Sequence, residues 1–280
     1  MRGDYFMKTK IKVWAKSVVF SIAILYLCIT PALYLTQRQA IYPANKQVIT
    51  PAQLGVKDVD IVHAATADGL KLVGWYRAPA TPDKPVIVMF HGNADHHAYI
   101  YAFLLAPYIE AGYGVLSTEY RGYGGNAGSP TEQGLYADGR AWMGWLAAQG
   151  MKPENTVLMA HSLGTGVAVQ MAVEYPAVKA LVLLAPYTTL PDVARVRYFF
   201  LPLDLLMKDQ FRNVDKIAGI KMPLMVLNGL DDWIIPPRIG VRLYDAAPQP
   251  KSLVQLEGVQ HMLPADAVAA RVTHFLAGLK

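Results

Sequence analysis

An uncharged apolar stretch opens the chain. The 18 residues over 18–35 carry no charge, and as a helix they would span roughly 27 Å, the thickness of a bilayer core. A proline-containing connector follows. The segments 58–64 and 70–77 then alternate apolar and polar residues on either side of Ala67-Asp68-Gly69, which predicts a β-hairpin. From there short apolar runs alternate with segments of helical spacing. Strands are predicted over 86–90, 113–117, 156–159, 178–184, 223–227 and 252–256. Helices are predicted over 98–111, 131–148, 164–174, 237–246 and 265–279. Apolar strands alternating with helices imply a mostly parallel sheet with helices on both faces. The rhythm breaks once, over about 188–220, where Tyr198-Phe199-Phe200-Leu201-Pro202-Leu203 and Leu205-Leu206-Met207 lie. An insertion leaving a strand's carboxyl end sits over the edge where such sheets bind ligands. It reads either as a short apolar lid or as ordinary packing of a crossover.

Charge changes the picture at the amino terminus. The 280 residues carry a net +5, and so do the first 38 alone, with Arg2, Lys8, Lys10, Lys12, Lys16 and Arg38 against Asp4. The remainder is neutral, with 20 basic and 20 acidic residues. No nucleic-acid-binding body is expected. Positive charge ahead of the apolar run places a basic tail, 1–17, in the cytoplasm. Residues 18–35 then form a transmembrane signal anchor and 36–57 a connector. The domain at 58–280 lies on the non-cytoplasmic side, the periplasm in a bacterium. A cleaved signal peptide has a similar pattern, but no small-x-small cleavage site follows the run. The single cysteine, Cys28, excludes an internal disulfide, and Leu27 before it argues against lipidation.

Candidate chemistry gathers where strands end. Ala160-His161-Ser162-Leu163-Gly164 joins a strand to a helix, and a serine in such a sharp turn is a nucleophile elbow with small residues two positions away on each side. Gly166 is expected to let that helix pack closely on the strand before it. A helix-capping serine is the other reading of Ser162. Serine acyl transfer also needs a base, a group orienting the base and donors for the oxyanion. The strand over 223–227 runs into Asp231-Asp232, and that over 252–256 runs into His261, the order expected of acid and base. Asp232 is the expected acid, four residues before Pro236, and Asp231 a turn residue. His91-Gly92-Asn93-Ala94 can aim a backbone N–H at the oxyanion, from Asn93 or alternatively Ala94, with Leu163 supplying the second. Arg121, in Tyr120-Arg121-Gly122-Tyr123-Gly124, is expected to pair with a nearby acid. His96 and His97 read as surface or rim residues. No His/Asp/Glu spacing points to a metal, and no cofactor is called for.

Taken together, these motifs resemble the membrane-anchored α/β-hydrolases of the serine esterase, lipase and aminopeptidase superfamily. The resemblance rests on Gln39-Ala40-Ile41-Tyr42-Pro43, His91-Gly92-Asn93-Ala94, Glu119-Tyr120-Arg121-Gly122-Tyr123-Gly124-Gly125, Gly128-Ser129-Pro130-Thr131-Glu132, the elbow, the Asp232 loop and His261. It implies the α/β-hydrolase fold and a Ser162, Asp232, His261 triad. The expected reaction is hydrolysis of a carboxylic ester or thioester, with a small-molecule or lipid-like acyl substrate. Peptidase or amidase action and a non-catalytic membrane scaffold are the alternatives.

Overall fold

The computed structural model describes residues 2–279, and side chains from residue 14 onward apart from 15, 19, 22, 23 and 25. Its centre is one eight-stranded sheet. The strands are β1 (Asp60–Ala65), β2 (Lys71–Arg77), β3 (Val86–Phe90), β4 (Gly114–Thr118), β5 (Thr156–His161), β6 (Ala180–Leu184), β7 (Leu224–Gly229) and β8 (Lys251–Leu256). Their spatial order is β1-β2-β4-β3-β5-β6-β7-β8. β2 is antiparallel to β1 and β4, and every later pair is parallel.

Among the central strands β3 and β6 are apolar throughout, and β4, β5 and β7 carry polar residues only at their ends, because both faces of the sheet are covered. Side chains alternate across a strand. Val86, Val88 and Phe90 therefore enter one core, with Leu158, Leu181 and Val226. Ile87 and Met89 enter the other, with Val157, Val182 and Leu227. Each such side chain contributes about 1.5–3 kcal/mol on burial. Helices α4 (Glu132–Ala148), α5 (Gly164–Glu174) and α8 (Pro237–Ala246) pack into the first core, and α9 (Ala265–Ala277) into the second. Thr131 starts α4 by accepting the Gly134 N–H at 2.9 Å, a cap worth ~1 kcal/mol.

The helix expected over 98–111 is broken. It forms α2 (His97–Tyr99), a π-helical stretch Ile100–Leu104 and α3 (Ala106–Glu110). Pro107 is the physical reason. It has no N–H to donate to Phe103, and its ring crowds that carbonyl. The wider turn closes with Leu105 N–H on Ile100 O at 3.0 Å.

Between β6 and β7 the insertion holds two short helices, α6 (Leu190–Arg195) and α7 (Leu203–Leu206). Against it docks the end of α1 (Arg2–Ile41), a 40-residue helix. Arg38 Nε donates to Asp209 Oδ2 at 2.8 Å, and Lys208 N to Gln37 Oε1 at 2.7 Å. An apolar cavity of about 120 Å³ lies in that junction. Among the described residues no helix is long and apolar enough to cross a membrane. The transmembrane segment expected over 18–35 is therefore not found there. Positions 19, 22, 23 and 25 of that run lie outside the described side chains.

Candidate active site

Four loops at the carboxyl ends of β3, β5, β7 and β8 converge on one point. Ser162 follows β5 with φ of 51°, a left-handed conformation that a non-glycine residue holds only when its surroundings enforce it. Two contacts do so. Ser162 N donates to Leu184 O at 2.9 Å. A Cβ on Gly164 would collide with the Phe90 and His91 carbonyls, so only glycine lets α5 start this close to β3. Gly166 has another role than the one expected. A Cβ there would strike Phe211 and the Tyr187 hydroxyl, so it makes room for the insertion.

His261 stands between the serine and an acid. Its Nε2 is 3.0 Å from Ser162 Oγ and its Nδ1 is 2.7 Å from Asp232 Oδ2. With Nδ1 carrying its proton toward the carboxylate, Nε2 is free to accept the serine hydroxyl proton. Asp232 is buried, and its Oδ1 accepts the backbone N–H groups of Ile234 and Ile235 at 2.8 and 2.9 Å. Those two donors fix the carboxylate's orientation. Asp231 is exposed and only its backbone is engaged, with its N–H on Val259 O at 3.0 Å.

The loop after β3 presses against the elbow. A Cβ on Gly92 would meet Asp95 Oδ2 at 2.7 Å, His161 Nδ1 at 3.1 Å and Ser162 Cβ at 3.4 Å. Asn93 is held by its side chain on Ile41 O at 3.3 Å, and its carbonyl accepts the Tyr123 hydroxyl at 2.9 Å. Among the described residues, the Asn93, Ala94 and Leu163 N–H groups are committed to no hydrogen bond. A cavity of about 290 Å³ opens beside His161, walled by Tyr99, Phe103, Leu184 and Met262. Arg197 of the insertion lies 5.0 Å over the ring of Trp233, joining the insertion to the Asp232 loop.

Under these loops lies a polar cluster that the sequence reading did not assemble. His96 and His97 are buried, not on the surface. Glu119, wholly buried, receives His91 Nε2 at 2.5 Å, His97 Nδ1 at 2.7 Å and the Tyr120 N–H at 3.1 Å. Burial pushes the Glu119 carboxyl up, but the charges and hydrogen bonds of His91 and His97 hold it well below the usual carboxylate range. His91 Nδ1 donates in turn to Gly92 O at 2.7 Å. Both His91 partners are acceptors, so the ring is an imidazolium. Burial lowers its pKa, and Glu119 more than restores it.

Donor atoms of His96, His97 and Glu119 fall within 4.8 Å of one another, a grouping that linear spacing hides. His97 Nδ1 donates to Glu119 and its buried Nε2 has no hydrogen-bond partner, while His96 donates Nε2–H to Gln47 O and accepts the Ala98 N–H. Arg121 finds its acids as expected, Asp68 at 2.8 Å and Asp138 at 2.8 Å.

Comparison with known proteins gives one consistent picture. The family model for the alpha/beta hydrolase fold matches residues 85–217. An uncharacterized protein of Mycobacterium tuberculosis is 40% identical over 201 residues, covering 71% of each chain. Lysophosphatidylserine lipase ABHD12 of Danio rerio is 32% identical over 201 residues, 64% of this chain and 51% of that one. Among solved structures, an esterase of Pyrococcus furiosus superposes with a TM-score of 0.67 at 21% identity, over 84% of this chain and 97% of its own. A monoacylglycerol lipase of Paleococcus ferrophilus superposes with a TM-score of 0.59 at 18% identity, over 75% and 99%.

Proposed function

The chain belongs to the α/β-hydrolase superfamily as an esterase- or lipase-like hydrolase, and we propose that it cleaves a carboxylic ester or thioester through Ser162, His261 and Asp232. The observation that carries this reading is His261 bridging Ser162 Oγ and Asp232 Oδ2 at 3.0 and 2.7 Å. His261 Nε2 takes the serine proton as Oγ attacks the acyl carbon. Asp232 holds the ring in the required tautomer and offsets the imidazolium charge. The Asn93 and Leu163 N–H groups bind the oxyanion, each worth about 10²–10³ in kcat. His261 then returns the proton to the leaving group. Water, activated by the same histidine, releases the acyl chain from Ser162.

The rim supports a substrate class. Tyr99, Phe103 and Met262 are exposed around the mouth, with Trp233 on the Asp232 loop and Phe199, Phe200 and Leu205 on the insertion. Such a concentration of exposed apolar area marks a surface that meets an apolar partner. A lipid-like acyl substrate suits it. The relatives include proteins named as lysophosphatidylserine and monoacylglycerol lipases.

Membrane attachment is part of the same proposal. The uncharged run over 18–35 follows five basic residues, and Phe20, Leu27 and Leu35 in it are exposed, with no cover from the domain. That arrangement suits an anchor holding the catalytic domain on the non-cytoplasmic side. Protease accessibility of the domain in sealed vesicles tests it; protection on the cytoplasmic side overturns it.

Labelling with a fluorophosphonate tests the chemistry. Wild type takes one label and Ser162→Ala takes none. An unlabelled wild type, or equal labelling of the variant, overturns the mechanism.

A further inference from the structure

Beside the Ser162–His261 pair lies a second charged pair that the reaction as written does not use. His161 is buried. Its Nδ1 is 3.2 Å from Asp95 Oδ2, and its Nε2 is 3.1 Å from the main-chain oxygen of His261. Both partners are acceptors, so both ring nitrogens must donate, and the ring satisfies both only as an imidazolium. Asp95 Oδ2 also receives the Gly92 N–H at 3.0 Å. Burial pushes the Asp95 carboxyl up. The His161 hydrogen bond and charge, the His91 charge and the Gly92 N–H outweigh burial and hold it down at about 2.

We propose that Asp95 and His161 are positioning residues: a charged clamp that ties the main chain of His261 and the Gly92 turn to the elbow. The proposal rests on the hydrolase reading above. His161 reaches 66 residues back to Asp95 and 100 residues forward to His261. Through Asp95 it sets the loop that aims the Asn93 N–H. Through the His261 carbonyl it sets how far Nε2 stands from Ser162 Oγ.

The clamp is also electrostatic. The His161 and His261 rings lie 5.0 Å apart. The transition state makes His261 an imidazolium, which an uncompensated His161 cation would oppose. Asp95 cancels that charge. The other ionisable groups around the pair balance in the same way. His91, on the Asp95 loop, is paired with Glu119, and His261 is backed by Asp232. Tyr99 faces His161 across the cavity.

The test uses the full chain, p-nitrophenyl acetate as substrate and fluorophosphonate titration to count active sites. His161→Ala is expected to lower kcat per titrated site by roughly 100-fold, the penalty of about 1 Å of misplacement, with KM little changed. His161→Gln, which can donate to one acceptor, should keep part of that rate. Asp95→Asn, which keeps the shape and removes the charge facing His161, should also lower kcat per titrated site. A merely structural role would reduce melting temperature and the number of titrated sites, but not kcat per site. Unchanged kcat per site in the His161 variants or in Asp95→Asn overturns the clamp. If His161→Ala does not fold, the other two variants decide. If wild type neither labels nor hydrolyses, the failure is that of the hydrolase reading itself.

Discussion

Glu119 Oε1 lies 2.5 Å from His91 Nε2, and neither side chain reaches solvent. The two residues immediately follow adjacent strands, β3 and β4, and the ion pair locks the loops that leave them. On one side His91 holds the Gly92 carbonyl. On the other, a Cβ at Gly124 would meet Glu119 at 2.7 Å, so the 119–125 loop folds tightly over the carboxylate. The loop beside Ser162 is thus shaped from beneath by a buried charge pair.

Glu119→Gln keeps the shape and removes the charge. His91 is left either as an uncompensated buried cation or as a neutral ring that cannot donate to both of its partners. Breaking a buried pair in this way costs about 3–5 kcal/mol. Urea denaturation of the variant should show a loss of that size. A loss below about 1 kcal/mol, the size of an exposed ion pair, would show that the pair does not hold the loop.

Asp232 and Asp231 are neighbours with opposite expected sensitivities. Asp232→Asn leaves the fold in place but offers His261 Nδ1 a poorer acceptor and the wrong tautomer, so kcat should fall by roughly 10⁴-fold. Asp231 is exposed and bonds only through its backbone. Asp231→Asn should leave kcat unchanged. Equal losses in the two variants would contradict the assignment of Asp232.

The strands were legible because a strand covered on both faces is apolar through its centre, as 86–90, 157–160 and 180–184 are. The order of serine, acid and histidine could be read from the loops that follow such runs. Other features were hidden for definite reasons. Pro107 divides a segment whose apolar spacing still reads as one helix. His96 and His97 are polar and follow a glycine turn, so they read as rim residues. Their burial is set by Glu119, 22 residues beyond His97. The Asp95–His161 contact joins two loops through tertiary packing alone, and linear spacing carries no trace of it.

Two glycines on neighbouring helices make a contrast in packing. A Cβ on Gly164 would overlap backbone carbonyls of Phe90 and His91, which cannot move without displacing β3. Gly164→Ala should therefore destabilise strongly, by more than the 1–3 kcal/mol usual for overpacking. Gly144 lies exposed within α4, and its Cβ would meet nothing within 4 Å. Gly144→Ala should stabilise by about 0.5–1 kcal/mol through lower backbone entropy in the unfolded chain. Thermal unfolding of the two variants, moving in opposite directions, is the check.

Acid should erase the contribution of Asp95 in a defined window. Its folded-state pKa, about 2, lies below the ordinary aspartate value of 3.8, so the unfolded chain binds the proton more tightly. Stability gained from this group is therefore complete above about pH 4 and is lost as pH falls toward 2. The difference corresponds to about 2 kcal/mol. Asp95→Asn should be less stable than wild type by that amount near neutrality, because it gives up the charge that faces His161. The gap should narrow below about pH 4 and close near pH 2, where wild type has also lost the charge. Denaturant titrations of both proteins across that range measure it. A gap that stays constant down to pH 2 would mean that Asp95 contributes by shape and hydrogen bonding alone.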